Sequence, residues 1–240
     1  MRLFGKNPIF ERLRSQPSTI RRIYLQEGFA EASYVHQKAK KWGIPILAVP
    51  KTKLIKMARN HNIQGIVAET DEFIYQPFDE LLEKALEKQK CLLFLDNITD
   101  PQNLGAILRT MACLGGFSVI LPTHDSVEVT ESVLRVACGG ENYVPISKVS
   151  NLNNAIKTAK DNGFSIAGTF AKEGESLINV KFTFPLGLVL GSEEKGVRDI
   201  IRKQLDFALT IPMANQSLSL NVAHAAAILG YEILRQRQHR

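Results

Sequence analysis

Cysteine is scarce in this sequence, and its cysteines form no recognisable pairs. The 240 residues contain three, Cys91, Cys113 and Cys138, which are odd in number and form no CxxC motif. A disulfide scaffold is therefore not expected, and reduced, mostly buried thiols in a cytoplasmic protein are the better interpretation. The five histidines are scattered, with no other His or Cys at ligand spacing, so no metal site is predicted.

Long hydrophobic runs are also missing. Residues 211–231 are uncharged, but they include Pro212, Asn215, Ser217, Asn221 and His224 and are too polar to span a membrane. The N-terminal residues lack the apolar segment of a signal peptide. The sequence therefore predicts a soluble intracellular protein without a membrane partner.

Positive charge is concentrated at one end of the chain. The net charge is +6, and residues 1–60 contain 13 Lys or Arg against 3 Asp or Glu. Residues 61–90 are acidic, with 3 against 7, and residues 91–240 are balanced, with 14 against 14. A basic first quarter indicates a polyanionic partner, and its separation from a neutral remainder indicates two domains.

The hydrophobic pattern predicts two α/β units joined by a helix. Residues 1–75 form the first unit, with strands at 20–25, 45–49 and 65–69 and helices near 8–14, 31–41 and 51–61. Residues 76–90 form an acidic linker helix with one apolar face. Residues 91–240 form an open sheet with helices on both faces. Its predicted strands are 91–95, 117–121, 143–146, 164–169, 186–191 and 207–211, and its helices are 101–113, 130–137, 151–162, 197–204 and 219–237.

A sheet of this kind suggests a nucleotide-like ligand at the carboxyl ends of its strands. No GxGxxG follows the first strand of the second unit, and the doublets at 115–116 and 139–140 are isolated. This absence argues against a conventional dinucleotide enzyme and against a Rossmann-type methyltransferase.

The segment DPQNLGAILRT specifies the start of a helix. Asp100 is a natural N-cap and Pro101 a natural first helical residue. Asn103 then lies in the first turn, and Arg109 can lean back toward the strand end. For each residue considered alone, a structural interpretation stays open, with Asn103 as a local cap and Arg109 as a surface salt-bridge partner.

Two further segments carry weaker individual signals. In LGSEEKGV, Gly191, Glu193 and Gly196 follow an apolar strand and allow a close backbone approach, although a simple turn is the alternative. In IPMANQSLSLNV a strand ends at Pro212, and Ser219 is expected to cap a terminal helix rich in small residues. A well-packed terminal helix would explain this segment equally well.

Taken together, the three segments resemble motifs one, two and three of the SpoU-type (TrmH-like) RNA 2′-O-ribose methyltransferases of the SPOUT superfamily, in order and in spacing. GKNPIFERL and the basic first unit resemble the N-terminal RNA-binding domain of bacterial 23S rRNA guanosine-2′-O-methyltransferases. The resemblance implies an α/β fold whose C-terminal methyltransferase domain contains a trefoil knot, preceded by a small α/β RNA-binding domain. It also implies S-adenosylmethionine as cofactor and a homodimer.

The resemblance assigns roles to particular residues. The catalytic set that it implies is Arg109, Asn103, Glu193, Ser219 and Asn221, and the cofactor-binding set is Thr169, Leu190, Gly191, Ile211, Met213 and Leu220. One departure is Asn215, where the family commonly has Gly. Asn tolerates a left-handed backbone better than other non-glycine residues, so the loop is expected to keep its shape.

The expected chemistry needs no metal. A ribose hydroxyl is a poor nucleophile, and a guanidinium stays protonated, so we expect Arg109 to stabilise the developing negative charge rather than to act as a base. The expected RNA contacts come from basic residues of the first unit, namely Arg12, Arg14, Arg21, Arg22, Lys38, Lys40, Lys41, Lys51, Lys53, Lys56 and Arg59. The open alternatives are a tRNA or another rRNA nucleotide as target, or an RNA-binding protein without catalysis.

Overall fold

The structure is a computed structural model that describes residues 1–58, 63–192, 196–215 and 217–238. Arg59, one of the expected RNA contacts, lies outside the described residues. The first unit consists of β1 (Arg2–Phe4), α1 (Lys6–Ser15), β2 (Ile20–Gln26), α2 (Ala32–Lys41), β3 (Ile46–Val49), α3 (Lys51–Ala58) and β4 (Ile66–Thr70). Its strands form one sheet in the order β1-β4-β2-β3, in which only the β2–β3 pairing is parallel. The expected strands are present, and β1 is an additional one.

The second unit is built on a larger, parallel sheet. Its elements are α4 (Phe78–Glu87), β5 (Cys91–Leu95), α5 (Pro101–Leu114), β6 (Phe117–Pro122), α6 (Glu131–Ala137), β7 (Ile146–Val149), α7 (Leu152–Asp161), β8 (Ser165–Thr169), β9 (Glu175–Ser176), β10 (Leu186–Leu190), α8 (Asp199–Arg202), β11 (Phe207–Thr210) and α9 (Val222–Gln238). The strand order is β7-β6-β5-β10-β8-β11-β9, and every pairing is parallel. β5, β6 and β10 are buried along their whole length, which explains why they appear in the sequence as continuous apolar runs.

The start of α5 is the one that its sequence predicts. The Asp100 carboxylate accepts a hydrogen bond from the Gln102 amide at 2.8 Å, and Pro101 is the first helical residue. The helix ends at Leu114, and Gly115 follows it with a φ of 70°. Asn103 and Arg109 therefore lie on a helix whose position is set by its cap.

Several element boundaries differ from the expectation. α8 covers only Asp199–Arg202 rather than residues 197–204. Two other differences have a local cause. β7 begins at Ile146 rather than at residue 143, because Pro145 has no N–H to donate to a strand ladder and residues 140–142 form a 3-10 turn. α9 begins at Val222, and its first turn is capped by Asn221, whose side-chain oxygen accepts from the Ala223 amide at 2.9 Å. The prediction that Ser219 caps this helix is therefore wrong.

The two units pack against each other through α1. Ile9 and Leu13 of α1 belong to the same buried cluster as Leu134 and Ala137 of α6. The Arg12 guanidinium forms a buried ion pair with Glu141, at 3.1 Å. Arg12 was expected among the RNA contacts, and this expectation is wrong because the side chain is used to join the two units.

Candidate functional site

A cavity of about 340 Å³ opens at the carboxyl ends of β8, β10 and β11. Thr169 ends β8 and Leu190 ends β10, so both reach the same edge of the parallel sheet. All six residues expected to bind the cofactor line this cavity, namely Thr169, Leu190, Gly191, Ile211, Met213 and Leu220. Ser219 also lines it. The fold thus brings three distant segments together around one space.

The loop after β10 folds tightly against itself. The Gly196 amide donates to the Ser192 carbonyl at 2.9 Å, and Gly196 has a φ of 64°. A Cβ at Gly191 would lie 2.1 Å from the Gly196 carbonyl carbon. Gly191 is therefore required by the approach of the loop's own backbone. Glu193, assigned to the catalytic set, lies outside the described residues.

A buried carboxylate holds the far end of this loop, and the sequence analysis did not find it. Asp96 directly follows β5 and has no exposed surface. Its side chain accepts from the Arg198 amide at 3.0 Å and forms an ion pair with the Arg198 guanidinium at 2.7 Å. The available signal was an acidic residue at the end of the apolar run CLLFL, where a buried charge needs a partner.

Two asparagines connect the first and third motifs. The Asn221 side-chain amide donates to the Asn103 side-chain oxygen at 2.9 Å, although the two residues are 118 positions apart in the chain. The same Asn221 caps α9 through its oxygen. Asn103 is therefore more than a local cap, because it fixes the start of α5 relative to the segment that lines the cavity.

Arg109 lies apart from the cavity. It is exposed on α5 and lines a second space of about 370 Å³, the Arg109 hollow, which lies between α1 and the second unit. The residues that line this hollow are Asn7, Phe10, Glu11, Arg14, Arg109, Ala112, Cys113, Ala137, Cys138, Gly139, Gly140 and Tyr143. The Arg109 backbone packs closely on Gly140, where an added Cβ would lie 2.9 Å from the Arg109 Cα.

The guanidinium of Arg109 remains available to a ligand. It donates a long hydrogen bond to the Cys138 thiol at 3.7 Å, and no carboxylate of the described residues lies within salt-bridge distance. The structural alternative for Arg109, a surface salt bridge, is therefore not seen in this part of the chain. A free guanidinium can hold a phosphate or a developing alkoxide.

The described part of the chain contains neither a cluster of metal-ligating side chains nor a membrane-spanning helix. No group of three or more His, Cys, Asp or Glu side chains there could hold a metal ion. None of the helices described is long and apolar enough to cross a membrane.

Comparison with known proteins identifies the family. Residues 90–231 match the model of the SpoU rRNA Methylase family. This chain belongs to that family. Residues 2–76 match a second model, described as RNA 2′-O ribose methyltransferase substrate binding. The second match covers the basic first unit.

Individual relatives agree with the family models. YacO of Bacillus subtilis (strain 168), whose name places it in the TrmH family of tRNA/rRNA methyltransferases, is 35% identical over 98% of this chain and 95% of its own length. A TrmH-family RNA methyltransferase structure from Porphyromonas gingivalis has a TM-score of 0.76 and 25% identity, covering 100% of this chain and 90% of that one. An AdoMet-bound rRNA methyltransferase from Sinorhizobium meliloti has a TM-score of 0.82 at 22% identity, covering 99% and 87%. The similarity to the Sinorhizobium meliloti structure concerns the fold alone.

Proposed function

We propose that this protein transfers a methyl group from S-adenosylmethionine to a ribose 2′-hydroxyl in RNA, and that its target is a guanosine of 23S rRNA. The observation that carries the proposal is the cavity at the carboxyl edge of the sheet, where residues from three distant segments meet. Its position is the one where open α/β sheets bind nucleotide-like ligands. The match of residues 2–76 to a substrate-binding model for RNA 2′-O ribose methyltransferases supports the substrate class.

The cavity fits the proposed cofactor in size and in chemistry. About 340 Å³ lies within the range of small-molecule sites, which are mostly apolar with a few polar groups. Leu190, Ile211 and Leu220 supply apolar walls suited to an adenine ring, and the Thr169 and Ser219 hydroxyls supply polar contacts. When bound, S-adenosylmethionine supplies a methyl group that its sulfonium already activates.

The role proposed for Arg109 follows from the chemistry of guanidinium. A 2′-hydroxyl is a weak nucleophile at neutral pH, so the protein must align its oxygen and stabilise the negative charge that develops there. Because a guanidinium is not deprotonated in proteins, we assign Arg109 the role of a hydrogen-bonding cation and not of a base. Its bidentate geometry also suits a grip on the neighbouring phosphate. We expect Asn103, Asn221 and Glu193 to shape the substrate pocket.

We further propose that the protein works as a homodimer. Arg109 lines a different hollow from the cofactor cavity, so a second copy is required if one Arg109 is to reach the cavity of the other. Ile228 and Tyr231, one turn apart on α9, leave 41% and 62% of their surfaces exposed and offer an apolar contact. Light scattering of the purified protein tests this step, and a monomeric active enzyme would contradict it.

The remaining structural features of the proposal follow from the family. We propose a trefoil knot in residues 91–240, a linker at 76–90 and an RNA-binding domain at 1–75, in a protein of the cytoplasm. β10 lies between β5 and β8, so the strands of the sheet are not in sequence order, and the knot itself is proposed from the family resemblance. The basic excess of residues 1–60 supports the RNA-binding role.

Methyl transfer assays test the function directly. Tritiated S-adenosylmethionine is offered with 23S rRNA, 16S rRNA or bulk tRNA, and we expect label only in 23S rRNA, at a guanosine ribose. Label in tRNA or in another rRNA nucleotide would support the proposed methyl transfer but would show that the substrate is a different RNA or nucleotide. Cofactor binding without transfer to any of the three RNAs would favour the non-catalytic alternative.

A further inference from the structure

The single tryptophan of the chain lies exposed at the C-terminal end of α2. Trp42 leaves 52% of its surface exposed, although large aromatic side chains are usually covered. It lines a hollow of about 470 Å³, the Trp42 hollow, which is lined by residues 13–19, Lys38, Lys41 and Trp42. The charged residues among them are Arg14, Lys38 and Lys41, all cationic. An exposed aromatic face among cations, without an acidic neighbour in the lining, is complementary to a nucleotide.

The Trp42 hollow and the Arg109 hollow adjoin each other. Arg14 lines both of them, with 59% of its side chain exposed. Tyr34 also connects the two, because its ring lies 5.0 Å from the ring of Phe10 in the Arg109 hollow and 5.8 Å from the Lys38 ammonium in the Trp42 hollow. The surface is therefore continuous from Trp42 through Arg14 to Arg109.

Arg14 is held in the position that this continuity requires. Its guanidinium donates to Glu11 at 2.8 Å, and a side-chain hydrogen bond with Tyr34 raises the pKa of Arg14. Glu11 also accepts from the Tyr143 hydroxyl at 2.7 Å, which fixes a second exposed ring at the edge of the Arg109 hollow. Cations and aromatic rings thus follow one path, on which Glu11 links Arg14 to Tyr143.

We propose that this path, the Trp42–Arg109 strip, holds an unpaired segment of the RNA substrate, with one base stacked on Trp42 and backbone phosphates on Lys38, Lys41 and Arg14. The inference rests on the proposed function, which makes RNA the substrate, and adds where the RNA lies and in what form. Stacking on an aromatic ring needs a base that is free of its helix, so the strip selects single-stranded or loop RNA over a duplex.

Because Trp42 is the only tryptophan, its fluorescence reports on the proposed contact without labelling. The probe is an oligoadenylate of about eight nucleotides, within the span of known single-strand sites. We expect saturable quenching of Trp42, and weaker quenching by an RNA duplex of the same strand length at the same nucleotide concentration. Equal quenching by duplex and single strand, or none by either, overturns the proposal.

Substitutions separate stacking from charge. With a fluorescein-labelled oligoadenylate, Trp42→Ala should weaken binding about tenfold, and Trp42→Phe should retain most of the affinity. The double variant Lys38→Ala/Lys41→Ala should weaken binding more than its matched control, Lys84→Ala/Lys88→Ala, which removes two exposed lysines at the end of α4, outside both hollows and outside the expected RNA contacts. Equal losses in the two double variants, or a loss below twofold for Trp42→Ala, overturn it.

Two readouts distinguish this proposal from the proposed function. The thermal unfolding of Trp42→Ala should match that of the wild type, because half of the side chain is already in solvent. If the wild type methylates rRNA and Trp42→Ala methylates it with an unchanged KM for RNA, the proposed RNA contact at the Trp42–Arg109 strip is wrong and the proposed methyltransferase function is retained. If the wild type binds oligoadenylate through Trp42 but methylates no RNA, the proposed methyltransferase function is wrong and the proposed RNA contact at the strip is retained.

Discussion

The ion pair between Arg12 and Glu141 offers the sharpest test of how the two units are joined. Its atoms lie 3.1 Å apart, with 7% of the arginine side chain and none of the glutamate side chain exposed. Arg12 also donates to the Thr19 hydroxyl at 3.2 Å. We consider the replacement Arg12→Met, which keeps the apolar stem of the side chain and removes its charge and its donors.

The expected cost follows from leaving Glu141 buried without its counter-charge. Removal of one partner from a buried ion pair destabilises proteins by about 3–5 kcal/mol. For a chain of this size that loss lowers the unfolding temperature by roughly 10 °C. Glu141→Gln added to Arg12→Met removes the uncompensated charge, so the double variant should recover most of the stability.

The loss of stability caused by Arg12→Met should also depend on pH. Burial raises the pKa of Glu141, against the opposing effects of backbone hydrogen bonds and of Arg12. A carboxyl group whose pKa is raised in the folded state contributes stability below its unfolded pKa and loses that contribution as pH rises through the folded value. Arg12→Met raises this pKa further, so its cost should be largest near neutral pH and smaller toward about pH 4.5.

The measurement is chemical unfolding of the wild type and of the variants at a series of pH values, with cofactor affinity measured in parallel. No residue of α1 lines the cofactor cavity, so Arg12→Met should leave the affinity for the cofactor unchanged. A cost that is independent of pH, or a double variant no more stable than Arg12→Met, would refute the account of Glu141 as an uncompensated buried charge.

Three further predictions concern single positions. Gly191→Ala should weaken cofactor binding, measured by calorimetry, at least about tenfold, because the added Cβ meets the backbone of the loop. In the control Gly230→Ala the added Cβ meets only the flexible ends of side chains, so cofactor binding should stay intact. Equal losses of affinity in the two variants would contradict this prediction. Gly140→Ala should lower kcat without changing cofactor affinity, since its Cβ displaces the Arg109 backbone, and an unchanged kcat would refute the role of that packing. Burial raises the pKa of Cys91 to about 12, so this thiol should react with a disulfide reagent only after unfolding, and rapid modification of the native protein would contradict its burial.

Local chemistry explains which parts of the fold could be predicted from sequence. β5 and β10 are continuous apolar runs because both faces of a parallel strand are covered. The start of α5 follows from Asp100 and Pro101, whose effects extend over a few residues only. The family resemblance went further, since the residues that it assigned to the cofactor all line one cavity.

The features that could not be predicted depend on contacts between distant residues. β1 and β9 have three and two residues, too few for a hydrophobic period. Asp96 and Arg198 meet across 102 positions, and nothing near either residue identifies the other. Arg12 differs from its basic neighbours only in the face of α1 on which it lies, so its charge alone suggested a surface role.

The same reasoning explains how a basic first unit can serve a neutral second one. Phosphate contacts provide affinity that is largely independent of sequence, and such affinity helps a reaction only when the RNA is held at a fixed position relative to the catalytic groups. The shared buried cluster and the Arg12–Glu141 pair fix α1 on the second unit. Because α1 also carries Arg14 into the hollow that Arg109 lines, we expect RNA bound by the first unit to be placed at the proposed catalytic arginine. The charge of the first unit then contributes to positioning as well as to affinity.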